Sequence, residues 1–253
     1  MNQDRFERFE LKYFISPDEM KLARRMVAPF MRTDQYATGR PGNRYTVRSI
    51  YLDTLDLRFY YEKEAGLKIR KKLRLRTYNR YSRNAASFFE IKRKYGQAIL
   101  KERVGMSFAR AAELLQQDPV DRVNLANLED LDLSAASRAS LKRFFFLEEV
   151  LLLQPSVLVV YDREPYVGLE NPRVRVTFDC DVRSIIRPDL EDIFTDTDFR
   201  HLTDRRQILE IKFDGSMPPW LRPLTARLDR GNRPISKYCR GIDLWAPAMA
   251  GPG

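Results

Sequence analysis

A glutamate and a lysine on either side of one apolar residue occur three times in the chain, as Glu10-Leu11-Lys12, Glu90-Ile91-Lys92 and Glu210-Ile211-Lys212. Between the first two runs a basic ladder, Arg70, Lys72, Arg74 and Arg76, alternating with Ile69, Lys71, Leu73 and Leu75. Strand side chains alternate faces, so each couplet places its acid and base on one side and its apolar residue on the other. The expectation is a sheet with a charged face shared by strands far apart in sequence. Same-face neighbours lie roughly 7 Å apart, where two cations repel by about 0.6 kcal/mol in water and about 2.4 kcal/mol at an effective dielectric near 20. Such a row is cheap in water. Where water is excluded it needs interleaved carboxylates or a polyanion.

Rows of arginine and lysine suit phosphate, because a guanidinium grips two oxygens at once and an ammonium supplies a compact charge. No G-x-x-x-x-G-K-[ST] or G-x-G-x-x-G pattern is present, so any nucleotide must be cradled by side chains. Glu210, an acid among bases, suits a Mg²⁺ or Mn²⁺ that also takes oxygens from substrate phosphates, or else a salt bridge along its own face. Asp179 and Asp181 are open between arginine partners and a metal. Ser236-Lys237, between Pro234 and Gly241, reads as a loop offering a hydroxyl and an ammonium. His201 is the sole histidine, which argues against a phosphohistidine or a histidine-based triad. The nearby acids Asp189, Glu191, Asp192, Asp196 and Asp198 lack the glycine and terminal glutamate of an EF-hand.

The 253 residues are enough for a sizeable core. Forty-five basic against 35 acidic side chains give a formal charge of +10, which attracts nucleic acid, anionic membrane or polyphosphate. Cys180 and Cys239 are too few for a disulfide framework and lack metal spacing, which suggests a reducing compartment. Asp4, Arg5 and Glu7 interrupt any apolar leader, and no apolar run approaches a membrane span. The expected location is cytoplasmic, or membrane-associated through a partner.

The elements that must hold these side chains are readable from period and punctuation. Strands are expected at 8–15, 45–53, 68–78, 87–94, 98–104, 156–163, 173–181 and 207–213. Ser16-Pro17-Asp18-Glu19 forms a capping box with proline at the first helical position, predicting a helix to about Phe30. Ser107 caps a short helix, Ser134 or Ser137 opens a longer one, and another lies near 220–228. Strand runs with few helices indicate α+β with a mostly antiparallel sheet. A single domain over 1–245 is expected, followed by a disordered tail at 246–253.

The set Glu10-Leu11-Lys12-Tyr13, Tyr51-Leu52-Asp53-Thr54, Leu73-Arg74-Leu75-Arg76, Phe89-Glu90-Ile91-Lys92, Leu209-Glu210-Ile211-Lys212 and Ser236-Lys237-Tyr238 resembles the VTC (vacuolar transporter chaperone) polyphosphate polymerase domain. That domain is one of the CYTH-like triphosphate tunnel metalloenzymes, and the likeness runs over roughly residues 5–243. It implies a closed antiparallel β-barrel with a charged lumen and helices outside. It also implies transfer of the γ-phosphate of ATP onto polyphosphate with a divalent metal, and eukaryotic relatives work beside membrane proteins. Carried onto matching positions, Lys12, Arg74, Arg76, Lys92, Lys101, Arg163, Arg175 and Lys237 would grip phosphates. Glu210 would hold Mn²⁺ or Mg²⁺, and Lys237, Arg74, Arg76 and Lys92 would be catalytic. The ladder, the third couplet and the late loop add Lys72, Lys212 and Ser236 to the substrate-binding set.

Hydrolytic tunnel enzymes begin with E-x-E-x-K, whereas here Arg8 stands in the first glutamate's place. That loss disfavours a hydrolase metal site and a base for water. Two rival expectations stay open: a tripolyphosphatase, and a non-catalytic sensor of polyphosphate or inositol phosphates. Nucleic acid is disfavoured because single-strand binders interleave aromatics for base stacking, and the ladder ends with only Tyr78.

Overall fold

The protein, described here by a computed structural model over residues 8–96, 98–118, 132–202, 206–228 and 235–245, contains the expected strands and helices and, beyond them, strands at Met31–Thr33 and Arg200–His201 and helices at Arg58–Glu64 and Lys237–Asp243. Its strands are β1 (Arg8–Ile15), β2 (Met31–Thr33), β3 (Tyr45–Asp53), β4 (Ile69–Tyr78), β5 (Ala86–Tyr95), β6 (Ala98–Ser107), β7 (Gln154–Gly168), β8 (Arg175–Ile186), β9 (Arg200–His201) and β10 (Gln207–Asp214). The α-helices are α1 (Pro17–Val27), α2 (Arg58–Glu64), α3 (Phe108–Gln116), α4 (Ala135–Val150), α5 (Arg222–Leu228) and α6 (Lys237–Asp243). The expected tail at 246–253 lies outside the described residues. Among the described residues no helix is long and apolar enough to cross a membrane.

Hydrogen-bonded strand order is β1-β10-β8-β7-β3-β4-β5-β6, with β2 on β7 and β9 on β8. The α+β, mostly antiparallel expectation holds; the closed barrel does not. Closure requires the two ends of this order to bond with matched tilt and stagger. Among the described residues β1 pairs with β10 and β6 with β5, and no ladder joins β1 to β6. The sheet is open at both strands.

The described residues group into two compact units. The first comprises Met1–Thr46, Tyr161–Arg183 and His201–Lys237. Its core packs Met20, Ala23 and Val27 of α1 on Tyr13, Val176, Phe178, Leu209 and Ile211. The capping box forms as expected: Ser16 N donates to Glu19 Oε2 at 2.6 Å and Glu19 N to Ser16 Oγ at 3.2 Å. Buried Glu164 ties α1 to β7, accepting from Arg24 Nε and Nη2 at 2.7 and 2.8 Å, Arg44 Nε at 3.0 Å and the Tyr166 hydroxyl at 2.8 Å.

The second unit comprises Val47–Val160, Ser184–Arg200 and Tyr238–Gly253. In the meander β4-β5-β6, Leu73, Leu75, Phe89, Ile91 and Val104 share one face and pack on Leu141, Phe144 and Phe145 of α4 and on Phe108, Ala111 and Leu114 of α3. Ser107 and Ser134 cap those helices with their hydroxyls. Buried Asp53 caps α2, taking Phe59 N at 2.8 Å and Tyr60 N at 3.0 Å, and it also accepts the Tyr238 hydroxyl.

The segment expected as a loop around Gly241 is the helix α6. Its glycine serves close packing rather than a turn. A Cβ at Gly241 would stand 3.0 Å from Val157 Cγ2 and 3.3 Å from Val159 Cγ2, so only glycine lets the helix approach β7 this closely. Ser236 therefore immediately precedes a helix, and Lys237 is its first residue.

Candidate functional site

In the first unit antiparallel register sets Lys12 opposite Glu210 and Glu210 opposite Thr177. One step along, Glu10 faces Lys212 and Lys212 faces Arg175. Because side chains alternate, these rows form one polar face, while Leu11, Ile211 and Val176 turn to the core. Lys12 Nζ lies 2.9 Å from Glu10, 3.9 Å from Glu210 and 3.4 Å from the Ile235 carbonyl. Lys212 pairs with Glu210 and stands 3.9 Å from Glu10. Arg175 pairs instead with Asp34.

Asp179, fully buried, takes Arg163 in a two-pronged bond at 2.7 and 2.9 Å and Lys237 Nζ at 2.5 Å. Arg163 Nη2 also reaches Glu210 at 4.0 Å. Both cations lie over the Tyr161 ring, 5.2 Å and 4.8 Å from its centroid. Burial would drive the Glu210 carboxyl up, yet the charges of Lys212, Lys12, Lys237 and Arg163 hold it well below the usual carboxylate range. Asp179 is lowered against burial in the same way by Arg163 and Lys237. The question of its partner is answered: it anchors two cations. Thr177 Oγ1, across the register from Glu210, is buried with no hydrogen-bond partner.

In the second unit Arg74, Glu90 and Arg103 share a row, as do Lys72, Lys92 and Lys101. Glu90 is 2% exposed and has four cations about it. Arg74 Nε lies 2.6 Å and Arg76 Nε 3.8 Å from Oε2, with Lys101 Nζ 3.0 Å and Arg103 Nε 3.4 Å from Oε1. Arg76 also donates to Ser49 Oγ at 3.0 Å, and Arg74 Nη1 to the Tyr51 hydroxyl at 2.8 Å. The Arg103 guanidinium lies 3.5 Å from the Phe88 ring centroid, and Lys72 Nζ lies 5.4 Å from that of Tyr238.

Three titrating groups feel this cluster of charge. Despite burial, Arg74, Arg76 and Lys101 hold the Glu90 carboxyl far below its ordinary value. Lys101 is lowered, first by burial and then by Arg74 and Arg103, against the pull of Glu90. Tyr51 is buried, which by itself raises a phenol, yet Arg74, Arg76 and Lys72 bring it down to about 8. The phenol, lowered against burial by three cations, registers positive potential at this row, whereas the ammonium is lowered chiefly by its burial. The face is charged for an anion.

Of the residues singled out above, the structure brings Lys12, Arg163, Glu210, Lys212 and Lys237 together on the first unit's face. Arg175 shares that face by register but is turned to Asp34, and half-buried Ser236 precedes α6. Lys72, Arg74, Arg76, Lys92 and Lys101 share the second unit's face. Sequence reasoning missed Arg103, Tyr51 and Thr177 as site residues. Arg103 follows Lys101 at period two, and Thr177 alternates with Arg175 and Asp179, so alternation alone marks both. Nothing local marks the phenol, whose shift comes from Arg74, Arg76 and Lys72 on the neighbouring strand β4.

Among the described residues no group of three or more histidine, cysteine, aspartate or glutamate side chains is placed to hold a metal. A family model described as VTC domain matches residues 7–246. Comparison with curated proteins finds no match.

Proposed function

Because the chain belongs to the VTC domain family, whose members are related to polyphosphate polymerases, we propose that it transfers the γ-phosphate of ATP onto the end of a polyphosphate chain. The observation that carries this reading is the gathering of Arg74, Arg76, Lys101 and Arg103 within 3.8 Å of the one buried carboxylate of Glu90, beside a Tyr51 phenol that cations bring down to about 8. A phosphate chain supplies repeated negative charge at close spacing, the complement of such a row.

The residues divide the work by geometry. Arg74, Arg76 and Arg103 present guanidinium forks to phosphate oxygens, and Lys72, Lys92 and Lys101 neutralise charge beside them. In the first unit Asp179 holds Arg163 and Lys237 in place, which lowers the cost of orienting them for phosphate. The terminal oxygen of the acceptor attacks the γ-phosphorus, the bond to the β-phosphate oxygen breaks, and ADP leaves with its charge met by the basic rows. That acceptor is already anionic and needs no base. Water would need one, and Glu210 and Asp179, both held below the ordinary carboxylate range, are poor bases. This favours transfer over hydrolysis.

An ionised Glu210 beside the orphaned Thr177 oxygen fits a hard divalent cation. Glu210 would hold Mn²⁺ or Mg²⁺ with the remaining ligands drawn from phosphates and water, and the ion would offset charge on phosphate oxygens. The test is incubation of the purified chain with ATP and Mn²⁺, followed by gel sizing. Lengthening polymer supports the proposal, free phosphate alone points to a tripolyphosphatase, and no nucleotide turnover points to a sensor. Glu210→Gln is expected to abolish turnover while leaving polyphosphate affinity within about threefold, since phosphate contacts come from the cations. Tripolyphosphate displacing any bound RNA would identify phosphate chains as the preferred ligand.

A further inference from the structure

The far end of the β4-β5-β6 meander bears a pattern that phosphate binding does not use. On the core face the row Leu73, Ile91 and Glu102 is the last one covered, with Leu73 and Ile91 at most 2% exposed and Glu102 tied to Arg143 of α4 at 2.5 Å. Beyond it the strands continue for four or five residues, about 15 Å, to the turn at Gly96. Over that length Leu67, Ile69, Tyr95, Ile99 and Leu100 are between 42% and 59% exposed.

Register places these residues on both sides of the finger. Ile69, Tyr95 and Ala98 form one row, with Leu100 next to it beside Arg93 and Lys71. Ile99 lies on the opposite face in a row with Lys94 and Arg70. Apart from Lys72, Lys92 and Lys101 of the phosphate-gripping set, segments 68–72 and 92–101 hold five further lysines and arginines and no acid. Exposed apolar residues sharing rows with cations at this end suit the interface of an anionic bilayer, where apolar side chains enter beneath the headgroups and long basic side chains reach the negative surface. A tyrosine at the boundary suits that interface. A soluble phosphate chain offers the cations a partner but gives Ile69, Ile99 and Leu100 nothing.

We propose that the end of this meander is a membrane-docking finger that seats on a bilayer rich in anionic lipid. The apolar residues at its end enter the headgroup region and the cations in their rows contact lipid phosphates and carboxylates. Each cation near such a surface strengthens association by roughly fivefold, so the assembly binds anionic bilayers and leaves neutral ones. This inference stands apart from the polymerase proposal, since none of these apolar residues belongs to the phosphate-gripping sets.

The experiment uses the full chain with vesicles of phosphatidylcholine alone or mixed with phosphatidylserine. Binding to the mixed vesicles only is expected. The double variant Ile99→Asp, Leu100→Asp should lower the partition coefficient by about tenfold or more, with tripolyphosphate binding unchanged as evidence of an intact fold. In a Tyr95→Trp variant, the new tryptophan should shift its emission to the blue and be quenched by brominated acyl chains. Four results would overturn the proposal: no binding to anionic vesicles, equal binding by the double variant, absence of quenching, or a concentration-dependent dimer through β6 that the double variant dissolves.

Discussion

Glu90 meets four cations with one carboxylate, and its removal separates two roles that are otherwise merged. As an internal counter-ion it stabilises the empty protein; as an occupant of the row it competes with phosphate. Stripping one partner from a buried ionic cluster typically costs about 3–5 kcal/mol, and partial exposure of Lys101 and Arg103 reduces this to about 2–4 kcal/mol. Glu90→Gln should therefore lower the denaturation midpoint without ligand. Tripolyphosphate should raise the melting temperature of Glu90→Gln more than that of the unsubstituted protein, because more unmet charge awaits it. An equal or smaller rise would show that Glu90 has no part in phosphate binding. Tyr51 gives a second test on the same row. Its phenol should ionise with a midpoint of about 8, read by tyrosinate difference absorption and absent from Tyr51→Phe. The sign follows from a folded pKa below the ordinary value of 10: the stabilisation is complete above 10 and lost as pH falls through about 8. Saturating tripolyphosphate should move the midpoint upward by neutralising Arg74 and Arg76.

The helix α6 shows what an element owes to its neighbours rather than to its own residues. Replacing glycine by alanine inside a helix ordinarily gains about 1 kcal/mol. At Gly241 the new methyl would meet Val157, Val159 and Ser184 on three sides, with both valines fully buried on β7. Overpacking of this kind costs about 1–3 kcal/mol, so Gly241→Ala should be net destabilising, as thermal melting would show; a stabilised variant would mean that β7 yields. This element was illegible in the sequence because Pro234 and Gly241 carry turn chemistry locally, and only the facing valines explain the glycine. The strands were legible, since period-two alternation and the turn at Gly96 are local signals. α1 was legible because its capping box lies within four residues. For the site, alternation predicted which side chains share a face. It did not predict that Asp179 binds both Arg163 and Lys237, which depends on residues far apart in sequence. Openness at β1 and β6 was likewise hidden, because barrel closure is a relation between two edges that neither strand encodes.

For the molecule as a whole, a formal charge of +10 means that its buried carboxylates carry disproportionate weight. Glu90, Glu164, Asp179 and Glu210 all lie below their ordinary pKa values of 4.5 or, for the aspartate, 3.8, against burial and because of neighbouring cations. A carboxylate with a depressed folded pKa contributes stability that is complete above its unfolded value and is lost as pH falls through the folded one. All four contributions therefore persist at neutral pH and begin to fade below about 4.5, each protonation leaving cations unpaired and the net charge more positive. Unfolding should become steep in that acid range, followed by far-ultraviolet circular dichroism. An added polyanion changes the balance, because it supplies from outside the negative charge that protonation removes from within. Tripolyphosphate should shift the acid midpoint to lower pH, and the shift should shrink as added sodium chloride screens the contacts. A salt-insensitive shift, or none, would mean that the basic rows are satisfied by their own carboxylates and do not await an external chain of phosphates.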